Sequence, residues 1–122
     1  MKNGEMGTGW VDKSYKNYNY KEFCPYNIQI EIDLTDEIAI NNSDLDMGTI
    51  EDFFSDTLNK ICICHLVSRL VSDKGMDIII YAELERPTTQ YLEKIKNDAN
   101  RIISFNYKSF HDPRWTKIKK LL

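Results

Sequence analysis

Cys62, Cys64 and His65 are the one cluster of soft ligands in this 122-residue sequence, and metal binding or thiol catalysis is the chemistry they could do. On a helix Cys62 and His65 lie about 60° apart while Cys64 stands about 160° from Cys62, so a single ion cannot easily collect all three. On a strand the two cysteines share a face and His65 turns away. Pairing a cysteine with His65 or His111 as an activated nucleophile has no local signature either. With Cys24 the thiols make an odd set, and a bridge between positions 62 and 64 would be strained. They read as buried free thiols, with no metal site.

Asn42, Asp44, Asp46 and Glu51 invite comparison with a calcium loop. An EF-hand starting at Asn42 needs glycine where Met47 stands and glutamate where Phe53 stands. Starting at Asp44, it needs them at Thr49 and Ser55, so both registers fail. Gly48 and Gly75 stand alone, and nothing resembles a Gly-rich phosphate loop or a dinucleotide fingerprint. No cofactor is expected. Glu31 with Asp33, and Glu83 with Glu85, each place two carboxylates on one side of a strand pattern. If those strands were neighbours, four acids would share a face, although no lysine stands at the spacing usual for a metal-dependent nuclease.

Charge is distributed unevenly. The net charge of −3 divides into +1 over residues 1–26, −9 over 27–59, −1 over 60–85 and +6 over 86–122. The acidic block holds nine acids and neither lysine nor arginine. Such polarity bears on partners rather than on fold. The leading expectation is a small non-enzymatic interaction protein, inhibitor-, immunity- or adaptor-like. It would dock Glu31, Asp33, Asp36, Glu37, Asp44 and Asp46 on a basic macromolecular partner. The alternative is nucleic-acid binding. Lys13, Tyr15, Lys16, Tyr18, Tyr20 and Lys21 interleave bases and aromatics, and Arg114, Trp115 and Lys117 add to them near the C-terminus. An enzyme of unrecognised type stands third.

These residues need elements to position them. From Tyr26 the chain alternates strictly, with Tyr26, Ile28, Ile30, Ile32 and Leu34 on one side and Asn27, Gln29, Glu31, Asp33 and Thr35 on the other, which predicts a strand buried on one face. Ile38 and Ile40 repeat the alternation briefly as a short second strand. Thr49 is placed to cap a helix over residues 50–72, with Glu51 and Asp52 in its first turn. Its first half carries one stripe of Ile50, Phe53, Phe54, Leu58 and Ile61. Its second half is apolar almost all round, with Ile63, Leu66, Val67 and Leu70 on the opposite side. A competing reading makes residues 61–71 a strand returning through a hairpin. The helix is preferred because Leu66, Val67, Leu70 and Val71 keep helical spacing and Gly75 suits a helix stop.

Met76, Ile78, Ile80, Ala82 and Leu84 form a further strand, made central by Ile79 and Tyr81 on its other face. Beyond Pro87, the stripe of Tyr91, Leu92, Ile95, Ala99, Ile102 and Ile103 predicts a helix reaching about residue 107. The expected fold class is α+β, a two-layer sandwich with a small β-sheet covered on one face by two helices. Residues 1–22 read as an arm, flexible or draped over the domain. Residues 23–110 form the single α+β domain, and 111–122 a basic C-terminal tail. A helix with two apolar faces needs cover on both, which favours a homodimer. No apolar run is long enough to span a bilayer and no signal-peptide pattern opens the chain, so no membrane partner and a cytoplasmic location are expected.

Overall fold

The structure, a computed structural model, describes residues 7–11, 21–35, 37–40, 46–72 and 75–119. It contains β1 (Gly7–Val11), a 3-10 turn at Lys21–Phe23, β2 (Tyr26–Asp33), α1 (Glu37–Ile40) and α2 (Met47–Asn59). There follow β3 (Cys64–Ser72), β4 (Gly75–Ala82), α3 (Arg86–Lys96), β5 (Ser104–His111) and α4 (Thr116–Lys119). The fold is α+β. The strands form one five-stranded sheet in the order β1-β3-β4-β2-β5. Every neighbouring pair is antiparallel.

The alternation of β2 is realised from Ile28 to Asp33, the strand ending before Leu34 and Thr35. Ile28, Ile30 and Ile32 are buried and join Met76, Ile78 and Ile80 of β4 in one cluster. Ile50, Phe54 and Leu58 of α2 and Leu92 of α3 belong to the same cluster, so the helices meet the sheet through these side chains. Tyr107 of β5 donates its hydroxyl to Glu93 at 2.7 Å, and Ser109 donates to Glu85 at 3.0 Å, fastening α3 to the edge strand. As its two-sided apolar pattern predicts, β4 lies in the middle of the sheet.

Four expectations about the elements are corrected. The helix from residue 50 to 72 ends at Asn59, and 64–72 is strand, as the competing reading had it. Asn59 makes the break: its Nδ2 donates to the Ser55 carbonyl at 2.8 Å while its Oδ1 accepts from the Cys64 N–H at 3.0 Å. An Asn side chain that bonds backbone on both sides competes with continued helix, and the β-branched Ile61, Ile63, Val67 and Val71 favour a pleated surface. The apparent second helix face was thus a change of period, and the argument for a homodimer that rested on it falls away.

Because β3 reverses the chain, β2 and β4 pair directly but antiparallel, from Tyr26 opposite Ala82 to Asp33 opposite Gly75. At that last pair the backbones approach closely. A Cβ on Gly75 would stand 2.5 Å from the Ile32 carbonyl oxygen, so glycine serves here by having no side chain.

The last long helix is also shorter than its stripe. It ends at Lys96, with Asn97 as its C-cap, and residues 104–111 form β5. Asn97 Nδ2 bonds the Glu93 carbonyl at 3.0 Å and Asp98 Oδ1 accepts from the Asn100 N–H at 2.8 Å, a polar turn that outweighs the spacing of Ile102 and Ile103. Residues 37–40, expected as a strand, are helical. The cap of α2 is Asp46 rather than Thr49: its Oδ1 accepts from the Thr49 N–H at 2.7 Å, so the helix begins a turn earlier.

Within the expected arm, residues 7–11 form β1 and pair with β3, from Gly7 opposite Ser72 to Val11 opposite Ser68; residues 1–6 and 12–20 lie outside the described residues. No helix among the described residues is long and apolar enough to cross a membrane.

Candidate functional site

The sheet face turned away from the α2 and α3 cluster carries the polar positions of the strands. It divides into a closed half and an acidic half. The closed half contains a β-bulge. Leu66 lies opposite Ile80 and Ser68 opposite Ile79, leaving Val67 as the extra residue. Val67, on the same face as His65 by alternation, is buried with Cys24, Tyr81, Trp115 and Ile118 in a second cluster, separate from the first. Trp115 stacks on Tyr81 with ring centroids 4.3 Å apart and donates its indole N–H to the Cys24 carbonyl at 2.9 Å.

Asp112, itself buried, accepts the Tyr81 hydroxyl at 2.8 Å and caps α4 through the N–H groups of Thr116 and Lys117. Asn27, a solvent position by simple alternation, is buried here too, and its side-chain amide has no hydrogen-bond partner among the described residues.

The candidate nucleic-acid contacts meet this half in part. Trp115, expected to stack on bases, is a core side chain with no exposed surface. Lys21 holds its ammonium 5.8 Å from the Trp115 ring centroid, while Arg114 and Lys117 are exposed. Lys13, Tyr15, Lys16, Tyr18 and Tyr20 lie outside the described residues.

The acidic half lies at the opposite end of β2. Glu31 is exposed and sits between Asp77 of β4 and Asn106 of β5 in the register. Its Oε1 is 3.7 Å from Lys108 Nζ, with both side chains more than half exposed, a contact worth little in water. Asp33 is exposed and accepts from the N–H and hydroxyl of Thr35 at 2.8 and 2.6 Å. Glu37 and Asp46 are exposed, whereas Asp36 and Asp44 lie outside the described residues. Hydrogen bonds from the Thr49 backbone and side chain hold the Asp46 carboxyl below its ordinary range.

Two exposed acids that the sequence reading left out of its site, Asp52 and Asp56, stand on α2, which packs on the opposite face of the sheet from Glu31 and Asp33. Their signal was available in the nine-acid block. Glu51, by contrast, turns to Arg69 of β3, at 2.9 Å.

The imagined four-carboxylate face is not assembled. Antiparallel pairing sends Glu83 and Glu85 to the Tyr26 end of the sheet, past the end of β4 at Ala82. Among the described residues no group of three or more His, Cys, Asp or Glu is placed to hold a metal ion.

Cys64 opens β3 and Cys62 lies in the turn before it. Cys62 and Cys64 are buried with their sulfurs 3.8 Å apart, while His65 lies in the row opposite Tyr81. Burial lowers the pKa of His65. Burial, with Glu83 and Cys62 adding to it, pushes the Cys24 thiol up to about 11. Burial followed by the neighbouring Cys62 raises Cys64 further. The thiolate is the reactive form, so labelling of Cys24 and Cys64 by an aromatic disulfide at about pH 8 is expected to run at least ~100-fold slower in the native protein than in urea. Peptide-resolved mass spectrometry would read this, and native labelling at the unfolded rate would contradict the burial described.

No family model, curated protein or solved structure matches the chain.

Proposed function

We propose that the protein is a small non-enzymatic interaction protein, inhibitor- or adaptor-like, whose acidic surface docks on a basic macromolecular partner. One observation carries this reading. Glu31, Asp33, Glu37, Asp46, Asp52 and Asp56 are all exposed, in a block that contains no base of its own. Exposed charges of one sign raise the rate at which an oppositely charged partner is captured, and their effect falls as salt rises.

Charge reversal tests the reading, and the structure decides which acids to reverse. Asp46 caps α2, so changing it would weaken the helix as well as the surface. Glu37→Lys, Asp52→Lys and Asp56→Lys together spare that cap. A partner captured from the native host after nuclease treatment is expected to associate with the triple variant at least ~10-fold more slowly at low salt, with an unchanged far-UV spectrum. The salt dependence of the rate should flatten as well. An unchanged association rate at low salt would sink the acidic docking idea.

A further inference from the structure

A cavity of about 180 Å³ opens on the other side of the molecule, where α2, α3 and the turn leading into β5 meet. Phe53, Tyr91, Ile95, Ile103 and Phe105 supply an apolar wall continuous with the main core, and Arg101 stands in its lining. Arg101 is half-buried as a residue. Its Nε donates to Ser104 Oγ at 3.2 Å and its Nη1 to the Asp98 carbonyl at 3.1 Å, both neutral oxygens. Among the described residues no carboxylate lies within ion-pair distance of it. Asp98 also lines the opening, but its Oδ1 is taken by the Asn100 N–H.

A guanidinium fixed by neutral partners keeps donors for an anion, and a planar carboxylate matches its fork. An apolar wall beside that fork selects what the carboxylate must carry. A cavity of ~150 Å³ lined by Leu, Ile and Phe accepts one benzene ring, so this one has room for a ring with one or two further carbons.

We infer that this cavity binds a small apolar carboxylate, with the ring or branched chain against Phe53, Ile95 and Phe105 and the carboxylate on Arg101. This is independent of the acidic docking surface, which lies on other residues.

Phenylacetate and its neutral amide, phenylacetamide, test it on the full chain by backbone and Arg Nε–H NMR titration. Phenylacetate is expected to shift signals of residues 91–105, Phe53 and the Arg101 Nε–H, with an affinity in about the millimolar range fitting so small a ligand. Phenylacetamide should bind about tenfold more weakly, since it forfeits the charge-assisted contact. Arg101→Gln should bring the acid down to the level of the amide, and Ile95→Trp, which fills the cavity, should weaken both. Should Arg101→Gln disturb the turn, the acid-to-amide ratio on the unaltered protein still decides. Equal binding of acid and amide, shifts centred elsewhere, or no shift at about 10 mM phenylacetate would each overturn the assignment.

Discussion

Trp115→Ala is expected to destabilise the protein by about 3–5 kcal/mol, the range for deleting a fully buried large aromatic. The indole has no exposed surface, lies 4.3 Å from the Tyr81 ring at an interplanar angle of 14°, and satisfies the Cys24 carbonyl. Its removal opens a cavity between Tyr81, Val67 and Ile118 and orphans that acceptor. The residue also holds a left-handed backbone, φ 55°, which a side chain other than glycine adopts only when its surroundings repay the strain.

For a domain of ordinary stability, about 5–15 kcal/mol, the loss is a large share of the whole. Urea denaturation followed by circular dichroism measures it. Trp115→Phe keeps most of the ring packing but not the donor, and should lie between the two. A Trp115→Ala midpoint within error of the original would mean that the C-terminal segment contributes nothing to the fold.

Asp112→Ala is expected to cost about 2–4 kcal/mol, because a buried carboxylate that accepts several hydrogen bonds leaves several donors unsatisfied when it goes. Those donors are the Tyr81 hydroxyl, the Thr116 N–H and hydroxyl, and the Lys117 N–H, at 2.6 to 3.0 Å. Burial alone would raise the pKa of this carboxyl. The hydrogen bonds from Thr116, Lys117 and Tyr81 outweigh burial and hold it below the ordinary 3.8.

A group whose folded pKa is depressed stabilises fully above its unfolded pKa and loses that contribution as pH falls through the folded value. The seat of Trp115 is therefore expected to weaken in acid, below the ordinary aspartate range, and tryptophan fluorescence against pH would follow it. Asp112→Asn should remove that acid-linked step while keeping part of the stability at neutral pH. A step of the same size and midpoint in Asp112→Asn would assign it to another carboxylate.

Local chemistry in the sequence determined a good part of this molecule. The alternation of Ile28, Ile30 and Ile32, and of Met76, Ile78 and Ile80, specified two strands and their core face, because a period of two leaves one side for burial. The stripe of Ile50, Phe54 and Leu58 specified α2, and the uneven charge between residues 27 and 59 marked Glu31, Asp33, Glu37, Asp46, Asp52 and Asp56, which the structure leaves in solvent.

Tertiary structure decided the rest. Leu66, Val67, Leu70 and Val71 satisfy helical and extended spacing alike over so short a run; pairing with β4 made them a strand, and the bulge after Val67 set Ser68 opposite Ile79 and so brought Val71 beside Met76 on the core face. The same pairing set the direction of β2 against β4 and so separated Glu83 and Glu85 from Glu31 and Asp33. Trp115 and Lys117 read as a basic aromatic tail because composition carries no information on burial. Contacts with Cys24 and Tyr81, 91 and 34 positions earlier in the chain, made Trp115 a core residue. Side chains so distant in sequence share no local pattern, and only the closed chain brings them together.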